Sequence, residues 1–302
     1  MRYATVWRSA PITLAACVSF SLATKPLSAE TTWNYDFGSG TGSFVGGESI
    51  TFLPQPPAAG GTARVRVGSG GGQFSLVNPG SGSSSLVGTA SDSTSVNKFS
   101  IYDFAGTGLF SVEAELTFSG GDSGNWQLFV GNGATFTNNS GFVMAETFTG
   151  VRWDYEPSAG LTMSRRADGS ESWLVSRLPT LSQNTSTTLA IYGNNTTAAV
   201  TYGGHTLAPG TWDLWVDGAA VSTGLPKASL PTGTTIDSLM FYGASSTANA
   251  ATLTVDTLSY ANAVPEPTAW SLALMAIGTL LAGGRWRQRR LCPAGGNWPT
   301  AA

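Results

Sequence analysis

Cysteine is all but missing from this sequence: of 302 residues only Cys17 and Cys292 carry a thiol, and both stand in terminal stretches. The middle, from Glu30 to Ala263, therefore holds no disulfide and no thiolate metal site. Histidine is scarcer still, with His205 alone. Charged residues make up 11% of the chain, against 41% hydrophobic residues and 38 glycines. A chain this apolar is not a disordered one, and one this poor in Leu, Lys and Glu is not a helical one. Of the 15 basic residues, Arg2, Arg8 and Lys25 lie in the first 29 positions and Arg285, Arg287, Arg289 and Arg290 near the end. The middle keeps eight, against 17 acidic residues. That balance, about −9, repels phosphate backbones and argues against nucleic acid as a partner. At roughly 230 residues the middle can bury a self-sufficient core without covalent staples.

The two ends differ from this middle. Arg2 and Arg8 precede the apolar "APITLAACVSFSLA", which is followed by "PLSA" and an acidic, aromatic start, "ETTWNYDF". The apolar part is short and interrupted for a bilayer span, and the order is that of a secretory signal peptide over residues 1–29. Cleavage after Ala29 fits best, with Ala23 the alternative. "LAAC" (Leu14 to Cys17) also resembles a bacterial lipoprotein box, but the apolar run continues past Cys17.

Near the other end stands "VPEPTAWSLALMAIGTLLAGGRWRQRR". Its apolar run, Thr268 to Gly284, would span about 25 Å as a helix, just short of a hydrocarbon core. The arginines after it hold that end in the cytoplasm, which makes 291–302 a cytoplasmic tail. Val264, Pro265, Glu266 and Pro267, the short apolar segment and Arg285, Arg287, Arg289 and Arg290 together resemble the PEP-CTERM sorting signal of Gram-negative bacteria, here residues 264–290. The resemblance implies recognition by a membrane enzyme, an exosortase, and delivery to the cell envelope or to extracellular polysaccharide. The tail is longer than that family's usual ending. The prolines lack N–H donors and resist helix, which keeps the segment before the membrane extended.

Between the ends, alternation and turns prevail. "LFSVEAELTF" (Leu109 to Phe118) sets Phe110, Val112, Ala114, Leu116 and Phe118 on one face and Glu113 and Glu115 on the other, as in a half-buried strand. Hairpins are expected about Asp168-Gly169, Asn194-Asn195 and Asp217-Gly218, and strands in "IDSLMFYG" and "ATLTVDTLSYA". Gly68 to Ser93 reads as a long mobile loop around one strand at Phe74 to Val77. No fixed-period repeat supports a solenoid. The expected fold is all-β, an antiparallel β-sandwich over residues 30–263. "FSVEAELTFSGGDSGNWQLFVGNG" and "WDLWVDGAAV" further resemble strands of the concanavalin-like and laminin-G-like jelly rolls, where a Val-Asp-Gly hairpin follows an aromatic strand.

Chemistry is harder to find. "GDSG" at Gly121 to Gly124 resembles the nucleophile loop of chymotrypsin-like proteases, but His205 follows the serine, and Asn125-Trp126 stand where that family has Gly-Pro. A glycine turn is the better reading. Glu113 with Glu115, and Asp154 with Glu156, share strand faces and could approach the spacing of about 5–5.5 Å used in retaining glycoside hydrolysis. The Glu-x-Asp-x-Glu strand motif of concanavalin-like glycosidases is absent, so solvated faces are expected. Loops such as "GGDSGN" offer oxygens of the kind calcium takes, without a loop motif to support a site, and no cofactor is expected. Trp126, Trp153, Trp173, Trp212 and Trp215 are the candidates for stacking on sugar rings, with Trp212 and Trp215 on opposite faces of one strand. The expected function is a non-enzymatic envelope or matrix protein whose partners are exosortase, the membrane and extracellular polysaccharide. The alternative is a secreted glycan-active hydrolase.

Overall fold

A computed structural model describes residues 32–264, apart from 58–59, 81, 93, 138–141, 158–159, 171 and 176–177. In chain order its strands are β1 (Thr32–Tyr35), β2 (Gly42–Phe44), β3 (Gly47–Ser49), β4 (Thr62–Val67), β5 (Gln73–Val77), β6 (Ser85–Thr89) and β7 (Val96–Tyr102). Then come β8 (Leu109–Ser119), β9 (Asn125–Gly131), one helical turn α1 (Ala134–Thr137), β10 (Thr147–Tyr155), β11 (Gly160–Arg166), β12 (Trp173–Leu174) and β13 (Thr180–Ser182). The series ends with β14 (Ser186–Asn194), β15 (Val200–Tyr202), β16 (His205–Leu207), β17 (Thr211–Val216), β18 (Ala219–Pro226), β19 (Ser238–Ala244) and β20 (Thr252–Ala261).

All pairings are antiparallel. One sheet runs β18-β17-β14-β8-β20-β6-β5-β2, with β1 beside the second half of β20. The other runs β12-β11-β10-β9-β19-β7-β4-β3, with β13 also on β11. The inward side chains of both sheets form one core, so the expected sandwich is what the chain folds into. β8 shows why: Phe110, Val112, Ala114, Leu116 and Phe118 are buried, while Glu113 on the other face is exposed.

The aromatic core dictates where glycine must stand. The indole of Trp126 occupies the space beside Gly243, its cross-strand partner, and reaches Gly88 and Phe74. A Cβ at Gly243 would lie 2.8 Å from the Trp126 ring. Gly243→Ala is therefore expected to cost about 1–3 kcal/mol by overpacking, read as a lower urea midpoint with an unchanged slope.

Two of the expected hairpins form. Asp217 and Gly218 (φ 50° and 75°) turn β17 into β18, and β11 pairs with β12 across Ala167–Ser172. The one at Asn194-Asn195 does not. β14 runs to Asn194 and pairs with β17, and the small hairpin β15–β16 is inserted between them, turning at Gly203-Gly204 (φ 49° and 83°). Both asparagines are fully buried and spend their amides on loop carbonyls: Asn194 donates to Ala198 and Leu207, and Asn195 to Pro231 and Thr234. His205 begins β16 and is not itself in the turn.

The stretch 68–93 is also more ordered than its composition suggests. It carries β6 as well as β5, and the buried Asn97 ties it down, accepting from Gly68 N–H and donating to the carbonyls of Gly71 and Thr89. The hydrogen-bonding amide of a residue outside the stretch does what apolar alternation would otherwise do.

Candidate functional site

Three of the five candidate tryptophans have no surface to offer a ligand. Trp126, Trp153 and Trp212 are each 0% exposed, so stacking on sugar at these positions is ruled out. Trp126 and Trp153 are cross-strand partners that point into the core. Trp126 donates its indole N–H to the carbonyl of Ala251 at 3.0 Å, and Trp212 to that of Pro226 at 3.0 Å. All three are among the largest fully buried side chains of the core.

Trp173 and Trp215 are half-buried, on opposite sheets. Trp215 lies on the outer face of the first sheet, beside Tyr192, Tyr202 and His205 at ring distances of 5.7, 6.2 and 5.4 Å. Its N–H is not free for a sugar, because it donates to the Tyr202 hydroxyl at 3.0 Å, which in turn donates to the buried Asp213 carboxylate at 2.6 Å. Burial and the Asp213 carboxylate both push the Tyr202 phenol far up. Val264, first residue of the expected sorting motif, is buried against this cluster with Tyr202 and Leu207.

The second sheet presents a different face. Read across neighbouring strands, its outward positions form one continuous row: Ser164, Arg152, Gln127, Tyr242, Lys98, Arg66 and Glu48. Six inter-strand steps make this row roughly 29 Å long. The row beside it holds Trp173, Arg166, Gly150, Phe129, Met240, Ser100 and Arg64. Thus Arg64, Arg66, Lys98, Arg152 and Arg166, five of the eight basic residues between Glu30 and Ala263, share one face. Each comes from a strand in which apolar residues at the alternate positions face the core, as Ala63, Val65 and Val67 do around Arg64 and Arg66.

Cations and rings interleave on this face. The Arg166 guanidinium lies 4.2 Å from the Trp173 ring centre and 4.7 Å from that of Phe142, and Arg152 lies 4.8 Å from Trp173. Lys98 Nζ stands 5.7 Å from the Tyr242 ring centre. Two carboxylates accompany the five cations. Asp154 accepts from Arg152 Nε at 2.8 Å; Glu48 pairs with Arg64 and, at 3.8 Å, with Arg66. Burial pushes the Asp154 carboxyl up, and Arg152 partly offsets it. Burial, then Arg66 and Arg64, hold the Lys98 ammonium down at about 8. The middle of the second row is covered by α1 and Phe142, which close over Phe129 and Met240.

The candidate catalytic groups are dispersed. Glu113 and Glu115 lie on the outer face of the first sheet, where Glu115 accepts from Ser186 at 2.9 Å. Asp154 belongs to the second sheet, tied to Arg152, and Glu156 lies just past the end of β10. Gly121 to Gly124 is the turn joining β8 to β9, and its backbone is used structurally: Gly121 O accepts from Gln183 at 2.6 Å and Gly124 O from Tyr155 N–H at 3.0 Å. His205 packs on Tyr202, which touches Tyr192 opposite Ser111, at the far end of β8 from this turn. Eight residues of strand, roughly 26 Å, separate the two ends. Among the described residues no group of three or more His, Cys, Asp or Glu is placed to hold a metal ion.

Comparison with known proteins supports one segment firmly. The PEP-CTERM protein-sorting motif matches residues 263–290, so the chain carries that motif and is exported. Pro265, Glu266, Pro267 and the four arginines of the motif lie outside the described residues. No curated protein matches the chain. Among solved structures, it is similar to a sialidase (10% identity, TM-score 0.44, 65% of this chain and 16% of that one). It is also similar to the carbohydrate recognition domain of Emp47p (12%, 0.42, 73% and 95%) and to a beta-1,3-glucanase from Mycobacterium marinum (14%, 0.43, 75% and 97%). The chain thus spans a sixth of the sialidase and nearly all of the other two.

The basic face was missed in the sequence because net charge hides it. Its signal is visible in "TARVRV" and "GVRWDY", where each arginine alternates with core residues. Which strands lie side by side is not written there.

Proposed function

We propose that this is an exosortase-sorted protein of the cell envelope or extracellular matrix whose sandwich is a non-catalytic module for extracellular polysaccharide. The contact surface is the outer face of the second sheet. The observation that carries this reading is the gathering of five cations, Tyr242 and Trp173 on one face of a domain that is acidic elsewhere. Guanidinium groups and rings together bind the hydroxyl-rich edges and apolar faces of sugars, and a row of such groups about 29 Å long suits a polymer better than a small molecule.

Binding at such a surface is shallow, so it should show as avidity on polymer and hardly at all with short oligosaccharides. The segment Glu30 to Val264, which keeps Val264 in its cluster, should be retained by polysaccharide from the producing cell without releasing reducing sugar. Release that vanishes on changing Glu113 or Glu115 to Gln would make the protein a hydrolase; neither retention nor release would leave it a structural envelope protein. Sequencing of exported material is expected to begin at Glu30. An intact Met1 or a lipid on Cys17 would refute that processing.

A further inference from the structure

We propose that the polymer is acidic, and that one of its carboxylate-bearing sugars is held at Lys98, between the Tyr242 ring and Arg66. This rests on the polysaccharide-binding reading above and specifies its chemistry. Lys98 is 6% exposed, and its ammonium makes no hydrogen bond or ion pair with any described residue. A largely buried cation without an anion is costly. Its neighbours make the deficit worse. Arg64 and Arg66 flank it on β4, where the Glu48 carboxylate pairs with both arginines and Arg64 also donates to the Thr137 carbonyl. Three cations thus crowd one stretch of the face, and the group that Lys98 lacks is an anion.

Geometry favours a sugar acid over a free ion. Tyr242, opposite Lys98 on β19, offers a half-buried ring beside the ammonium, and Gln127 continues the row with a side-chain amide. Arg152 stands three strands from Lys98, roughly 14 Å away, so a polymer with recurrent carboxylates can meet a second cation along the same row. The acidic remainder of the domain disfavours nucleic acid, whose charges lie about 1.7 Å apart along the axis, more than it disfavours a polymer charged once per sugar or less. At physiological salt, charges beyond about 8 Å are damped, so the local excess on this face outweighs the distant acidic groups for a sparsely charged polymer, while the dense charge of a duplex running along the surface still meets them.

The test uses the full exported protein and beads bearing polygalacturonate, dextran sulfate, neutral dextran or duplex DNA. Retention is expected on polygalacturonate, weaker retention on dextran sulfate, and none on dextran or DNA. Lys98→Met keeps the packing against Tyr242 and should weaken polygalacturonate binding at least tenfold, while its urea midpoint stays or rises. A purely structural lysine would lower that midpoint. Binding should also fall as pH rises past about 8, because the ammonium discharges there, and Lys98→Arg should extend it to higher pH. The groups facing Lys98 are Glu48, Arg64, Arg66 and Tyr242; α1 brings no titratable side chain. Retention on dextran equal to polygalacturonate, or unchanged by Lys98→Met, overturns the acidic class and leaves the polysaccharide reading standing. Retention on DNA equal to polygalacturonate overturns it too. Retention on no polysaccharide, the producing cell's own included, defeats both.

Discussion

Replacing Pro265, Glu266 and Pro267 by alanine is expected to abolish sorting, leaving a precursor in the inner membrane at least tenfold enriched over the wild type. The change keeps the apolar run and the arginines, so any membrane span persists. What it removes is two residues without N–H donors and one carboxylate, in the segment between a folded domain and the apolar run. Alanine is the best helix former and would let a helix extend back toward Val264. Val264 is itself fixed against Tyr202 and Leu207, so the variant segment would be short, helical and anchored at its domain end. Neutralising Arg285, Arg287, Arg289 and Arg290 should act differently, loosening the orientation of the apolar run in any membrane it enters and not its recognition. Fractionation and mass spectrometry of the three proteins measure this. If the alanine variant is processed and delivered like the wild type, the segment is only a membrane span.

The second large effect is a contrast between tryptophans. Trp126→Ala should lose about 3–5 kcal/mol, which for a domain of this size lowers Tm by roughly 6–20 °C. The indole is wholly buried, bonded to Ala251 and packed on Phe74. Its removal leaves a cavity that Gly243 and Gly88, having no side chains, cannot fill. Trp173→Ala should cost about 1–2 kcal/mol, from two cation–π contacts and partial burial. On polysaccharide the order should reverse. Trp173→Ala removes the ring that Arg152 and Arg166 stack on and should weaken retention severalfold, whereas folded Trp126→Ala protein should bind as before. Calorimetry and bead retention decide it; a Trp173 variant with full retention would remove this residue from the binding face.

These contrasts mark how far the residues could be read before the fold was known. The strand Leu109–Ser119 was plain, because strict alternation of large apolar residues with Glu113 and Glu115 admits one orientation. The turn at Asp217-Gly218 was plain too, since positive φ at both positions selects that pair. Asn194-Asn195 carries the same local signal and misleads. A side-chain amide that suits a turn also suits a buried junction, and neighbours distant in sequence, Pro231 and Thr234, choose between them. The Gly- and Ser-rich stretch before Asp92 misled for a related reason. Its strand β6 buries only one large side chain, Leu86, and is held mainly by pairing with β20, more than 160 residues away.

By itself the sequence determined the class and the destination: an exported, cysteine-free β domain followed by a sorting motif whose order of prolines, apolar residues and arginines is contiguous. Contiguous signals survive without a fold. Tertiary structure alone decided which tryptophans are core and which are surface, and it brought Arg64, Arg66, Lys98, Arg152 and Arg166 onto one face. Those five come from four strands spread over about a hundred residues. Only cross-strand pairing, with neighbours about 4.8 Å apart, turns scattered charges into a row.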